Sequence, residues 1–174
     1  LIHSLVADGQ YAKAHRLWAA TAGIETPAGS LYDPGFRGSS APPPFNWSFE
    51  SRGAGIAEPA GGGSLRVLYY GRENGVLARQ LLLLRPGRYV LEFRVSGGGG
   101  SRESLGWSLI CMPGRQPLLT LPLDRGQGDL VRAGFQVPER ECEAQQLQLQ
   151  GTSQDVVRQI DLSISELSLK RIAQ

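Results

Sequence analysis

From Phe45 onward the chain is a series of short apolar runs that alternate with polar positions and are cut by glycine, proline and serine. Period two is the signature of a strand with one face in a core, because successive side chains leave a sheet on opposite sides. The runs fall at 45–49, 53–57, 64–70, 76–84, 89–96, 105–112, 118–121, 130–137, 145–150 and 158–171. Ten strands at this spacing, with no helical crossovers between them, predict a mainly β fold, an antiparallel two-sheet sandwich, and exclude a parallel α/β fold with its nucleotide crevice. The cleanest alternation is Tyr89, Leu91, Phe93 and Val95 on one face against Val90, Glu92 and Arg94 on the other. Leu81 to Leu84 is apolar on both faces, which places it mid-sheet or beneath a covering segment. Between these runs Arg85-Pro86-Gly87-Arg88 has the chemistry of a type II turn, so 80–96 is expected to be a central β-hairpin. In the last run Ile160, Leu162 and Ile164 are in phase and Leu167 and Leu169 are not, which predicts a β-bulge near Ser165-Glu166.

The first 23 residues carry a different period. Leu1, Leu5, Ala14, Leu17 and Trp18 recur at helical spacing and Asp8-Gly9 interrupts them, so two short helices are expected. Gly9-Gln10-Tyr11 followed by Ala14 and Trp18 resembles the turn and second helix of a tetratricopeptide-like hairpin, over less than one repeat. Such a hairpin cannot bury its own apolar face; it packs on the β-sandwich or continues a helical array. The expected organisation is a helical hairpin at 1–23, a Pro/Gly-rich linker and opening strand at 24–44, and the sandwich at 45–174, or from about 31.

Composition narrows the functional classes. At 174 residues and 41% hydrophobic the chain can bury one substantial core. Eighteen basic and sixteen acidic residues leave +2, with no basic block on one element, which argues against nucleic acid as a partner. Lys13 and Lys170 are the only lysines, the arginine bias expected of a GC-rich genome. No apolar run reaches the roughly 20 residues needed to span a bilayer, and none has the form of a signal peptide. Beginning at Leu1, the chain is expected to be processed or to have an upstream part.

The order of motifs then carries a resemblance. Leu31-Tyr-Asp-Pro-Gly-Phe-Arg-Gly38, Phe45-Asn-Trp-Ser-Phe49, Gly63-Ser-Leu-Arg-Val67, the run from Gln80 to Phe93 and the closing Ile160 to Leu169 together resemble the galactose-binding-like jelly roll, most of all its carbohydrate-binding-module branch. The resemblance covers about Leu31 to Ile172 and implies a jelly-roll sandwich that binds glycan without cofactor. Family members often hold a structural calcium with acidic residues of the opening motif and the closing strand. Here Arg37 and Ser165 stand at two of those positions, so no metal is expected. The family's export habit, with Cys111 at a strand end and Cys142 after a Pro-containing turn, implies a Cys111–Cys142 disulfide and a periplasmic, cell-surface or secreted location.

Sugar recognition needs an aromatic face beside planar polar groups. The loop from Tyr69 to Asn74 combines Tyr69, Tyr70, Arg72, Glu73 and Asn74 and is the leading candidate, with Trp47 as a further aromatic and the row Gln146, Gln148, Gln150 as a polar sheet face. Trp107 shares phase with Leu105, Leu109 and Cys111 and belongs to the core. No catalytic residues are assigned: there is no G-x-S-x-G, H-E-x-x-H or Walker loop, and the pairs Glu139/Glu141 and Asp155/Asp161 have nothing to place them across a cleft. His3 and His15 have no nearby partner ligands. Two functions follow: a non-catalytic carbohydrate-binding-like module of a bacterial envelope or secreted protein, or a structural module that docks a protein partner through its N-terminal helices.

Overall fold

The computed structural model describes residues 1–25, 28–126 and 128–173. Two helices, α1 (Ile2–Ala7) and α2 (Tyr11–Ala22), precede ten strands: β1 (Ser48–Phe49), β2 (Gly55–Gly61), β3 (Ser64–Tyr69), β4 (Gly75–Leu82), β5 (Gly87–Gly97), β6 (Leu105–Met112), β7 (Pro117–Pro122), β8 (Leu130–Val137), β9 (Ala144–Gly151) and β10 (Ile160–Arg171). They form two antiparallel five-stranded sheets, ordered β1-β4-β9-β6-β7 and β2-β3-β10-β5-β8. The inner faces meet in one core around Trp47, Tyr69, Phe93 and Trp107, with the alternating leucines, valines and isoleucines of the strands filling between them.

The expected hairpin at 80–96 does not form. β4 lies in the first sheet and β5 in the second, so Pro86-Gly87 turns the chain across the sandwich instead of back along its own strand. A Pro-Gly turn reverses direction locally, but which sheet receives the next strand is decided by distant partners, here β9 for β4 and β10 with β8 for β5. Leu81 to Leu84 is apolar on both faces because both are covered. Leu82 and Leu84 enter the core, and Leu81 and Leu83 lie beneath the helices. The expected strand at 45–49 shrinks to Ser48–Phe49, since Asn46 is buried and bonds the loop before it, donating to the carbonyls of Ser39 and Ala41.

In β10 the register against β5 shifts between Ser165 and Ser168, with Glu166 at φ 52, so the predicted bulge is present and returns Leu167 to the core. Two tyrosines brace chain reversals by the same device. The Tyr69 hydroxyl donates to the Glu73 carbonyl and the Tyr89 hydroxyl to the Arg85 carbonyl, each at 2.7 Å. Burial raises the pKa of both phenols, so both remain donors at neutral pH. Two buried glutamines act as latches. Gln80 accepts from the Tyr32 N–H at 2.8 Å and donates to its carbonyl at 2.9 Å, which pins the opening loop; Gln145 accepts from Leu84 N–H and donates to the Cys142 carbonyl. Cys111 at the end of β6 and Cys142 before β9 form a disulfide.

The helical hairpin packs on the outer face of the first sheet. Tyr11, Ala14 and Trp18, at i, i+3 and i+7 of α2, join Leu5, Phe45, Leu81 and Ala144 in a second cluster. Trp18 is its anchor: 1% exposed, edge-on to Tyr32 at 5.2 Å, and donating its indole N–H to the Pro42 carbonyl at 2.6 Å. An aromatic of this size removes about 150–250 Å² from water, an upper value of about 4–6 kcal/mol. α2 stops at Gly23, whose φ of 66 supplies the left-handed cap. No helix among the described residues is long and apolar enough to cross a membrane.

Candidate functional site

The two outer faces differ in chemistry. On the second sheet, charges pair across strands: Arg66 with Asp161, Arg94 with Glu166 and Glu92 with Arg132. Exposed pairs of this kind are worth little in stability, but they leave that face self-satisfied. On the first sheet, one part of the outer face lies under the helices and the open part carries mostly uncharged polar groups. There the registers align Ser48, Arg79, Gln148, Ser108 and Thr120 in one row running across all five strands. Gln148 reaches Gln150 in the next row by a 3.4 Å amide contact. The Ser108 hydroxyl is buried beneath the row with no hydrogen-bond partner among the described residues.

A trough leads from this row to the end of the sandwich. One hollow of about 290 Å³ is lined by the polar Glu103, Ser104, Ser108, Thr120, Gln150 and Thr152 together with Leu105, Gly106, Trp107 and Pro122. A second, of about 310 Å³, shares Glu103, Ser104 and Thr152 with it and continues to Gly71, Gln154, Asp155 and Arg158. The walls are held by the loop expected to bind ligand. Asn74 Oδ1 accepts from both the N–H (2.8 Å) and the hydroxyl (3.0 Å) of Ser153, tying 70–75 to 152–155. Gly71, at φ 74, lets the backbone approach the Arg158 carbonyl so closely that a Cβ there would collide with it. Hydroxyls, amides, two carboxylates and one guanidinium therefore converge on a cleft of mixed polar and apolar lining, able to exchange hydrogen bonds with a polyhydroxylated ligand.

The residues singled out in the sequence separate in space. Tyr70, Arg72, Glu73 and Asn74 flank Gly71, the one residue of their loop that lines the second hollow; Tyr70 is half-buried and the other three are exposed. Tyr69 and Trp47 do not present a face to any ligand: Tyr69 is wholly buried, and Trp47 is 5% exposed with its indole N–H donating to the Asp33 carbonyl. Both are removed from the site for the same reason, their phase toward the core. Ten of the thirteen aromatic residues are buried, and the other three, Tyr32, Phe49 and Tyr70, are half-buried. Of these, Tyr32 and Phe49 already pack against other rings, which leaves Tyr70 as the aromatic available to a ligand. The floor residues Ser108, Thr120, Thr152 and Gln154 escaped the sequence reading because single polar residues on a strand or loop carry no motif; only the neighbouring glutamine row signalled a polar face.

Asp33 is committed to its own loop, its carboxylate accepting from the N–H groups of Arg37 and Gly38 at 2.9 and 3.2 Å. No group of three His, Cys, Asp or Glu among the described residues is arranged to hold a metal ion. Asp161 is in its ion pair with Arg66 while Asp155 lines the trough, so these two do not face one another across a cleft.

Known structures agree with this sandwich at the level of the fold. A CBM4 carbohydrate-binding module superposes with a TM-score of 0.56 at 9% identity, covering 82% of this chain and 100% of its own. A family 16 carbohydrate-binding module gives 0.51 at 14% identity, over 72% and 90%. An arabinose-bound α-L-arabinofuranosidase gives 0.51 at 10% identity, matching 82% of this chain but 26% of the enzyme. No protein-family model matches the sequence, and no curated protein matches it. The protein has the β-sandwich fold of these modules, preceded by a helical pair.

Proposed function

We propose that the protein is a non-catalytic carbohydrate-binding-like module of a bacterial envelope or secreted protein, with its glycan in the trough between the Gln148–Ser108 row and the 70–75 loop. The observation that carries this reading is the continuity of the two hollows through Glu103, Ser104 and Thr152, beside the Asn74–Ser153 hydrogen bonds. The disulfide supports a periplasmic, cell-surface or secreted location, since such bridges persist in oxidising compartments. The trough holds no open aromatic face, so binding rests on hydrogen bonds with Tyr70 at the rim, and affinity is expected nearer ~1 mM than ~1 μM. The test is a glycan array followed by titration of any hit. Tyr70→Ala should weaken binding by ~1–2 kcal/mol if its ring stacks on sugar, and Gln150→Ala by ~0.5–1.5 kcal/mol for one hydrogen bond. If the wild-type protein binds no oligosaccharide at millimolar concentration, the reading fails.

A further inference from the structure

The outward side of the helical hairpin is unfinished. α2 turns Tyr11, Ala14 and Trp18 to the sandwich, which leaves Lys13 and Arg16, at i and i+3, exposed on its other side, with Leu17 half-buried at the flank between them and the second cluster. Leu1 and Leu5 come alongside from the N-terminal end, and with Lys13, Arg16 and Leu17 they enclose a hollow of about 590 Å³ whose floor is leucine. Lys13 and Arg16 also line an adjoining hollow of about 670 Å³, where Arg85 adds a third positive charge against Glu143. None of Lys13, Arg16 and Arg85 is in an ion pair among the described residues, although four other arginines of the chain are. An apolar floor beside cations that form no ion pair among the described residues, with Glu143 the one carboxylate lining the adjoining hollow, is a surface complementary to an amphipathic, acidic-edged segment.

We propose that this groove between α1 and α2 docks an amphipathic helix from a protein partner, with leucine-type residues at i, i+3/i+4 and i+7 on the leucine floor and glutamate or aspartate side chains toward Lys13 and Arg16. A helix laid there completes a three-helix contact, its ridge of apolar side chains entering the groove between two helices. The docking surface is separate from the glycan trough, so both partners can be held at once. A free acidic polymer would use the cations but not the floor, and a second copy of this chain would bring the same positive edge and be repelled.

The experiment uses the 174-residue chain and three labelled synthetic peptides of equal length: one with a leucine stripe and glutamate edges, one with the same leucines and lysine edges, and one with glutamates but alanine in place of leucine. In fluorescence anisotropy the leucine–glutamate peptide should bind at least tenfold more tightly than either other. Lys13→Glu/Arg16→Glu, two exposed positions, should reverse the preference to the lysine-edged peptide, and Leu17→Glu should abolish binding of both. Equal binding of the alanine–glutamate peptide would show a polyanion site and overturn the proposal. So would concentration-dependent dimerisation through the groove, absence of binding by any peptide, or an unchanged preference in the charge-reversed variant.

Discussion

Loss of the Cys111–Cys142 bridge offers the sharpest energetic check on the fold. The cysteines are 31 residues apart in sequence, and the loop they close contains β7 from the first sheet and β8 from the second. Cross-linking a loop of that length removes about 12 cal/mol/K from the unfolded chain, or about 3.7 kcal/mol at 25 °C. Reduction without substitution isolates this contribution; Cys111→Ala/Cys142→Ala adds roughly 1 kcal/mol of lost packing, because both sulfurs are buried. In a chain of this size, each kcal/mol moves the melting temperature by about 2–4 °C, so reduction should lower Tm by roughly 7–15 °C. Guanidinium unfolding followed by the fluorescence of Trp47 and Trp107, with and without reductant, measures it, and thiol labelling of the denatured, unreduced protein should find no free thiol. A loss below about 1 kcal/mol, or two reactive thiols in the isolated protein, would refute the reasoning and remove the support for an oxidising compartment.

Two further expectations concern the helical hairpin. Trp18→Ala should cost about 3–5 kcal/mol, whereas Trp18→Phe keeps a ring and strands only the Pro42 carbonyl, at about 1 kcal/mol; equal losses in denaturant unfolding would mean that the ring does not anchor the hairpin. His15 lies edge-on to Phe45 at 5.0 Å and beside Trp18 at 5.5 Å, and burial lowers its pKa. The folded state therefore favours the neutral ring, so its contribution is complete above the unfolded value of about 6.5 and is lost as pH falls through and below it. Unfolding midpoints should drop between pH 8 and pH 5 more steeply for wild type than for His15→Gln, and matching slopes would contradict this.

Much of the architecture is written in local pattern. The ten runs became ten strands because alternation and turn residues act over a few positions, and the bulge in β10 was visible as a phase slip between Ile164 and Leu167. The partner of each strand is not local, and for that reason the Pro86-Gly87 turn was misassigned as a hairpin when it crosses between sheets. Side-chain phase correctly sent Trp107 inward, and the same rule applied to Trp47 and Tyr69 removes them from the site. Gln80 and Gln145 were illegible as latches: a glutamine in a strand looks solvent-facing unless the backbone it will bond, at Tyr32 and Leu84, is already in place. The trough has the same character, since its walls come from four separate stretches, Gly71, 101–108, 120–122 and 150–158, brought together by the fold.

The positions of β9 and β10 bear on when this protein can fold. These are the last strands of the chain, yet each is the central strand of its sheet, β9 between β4 and β6 and β10 between β3 and β5. Of the eight strand pairings, only β2 with β3 and β6 with β7 join consecutive strands. Until residues 144–171 are made, neither sheet has a middle and the four strand edges that β9 and β10 cover, on β4, β6, β3 and β5, stay open, so closure of both sheets waits for these residues.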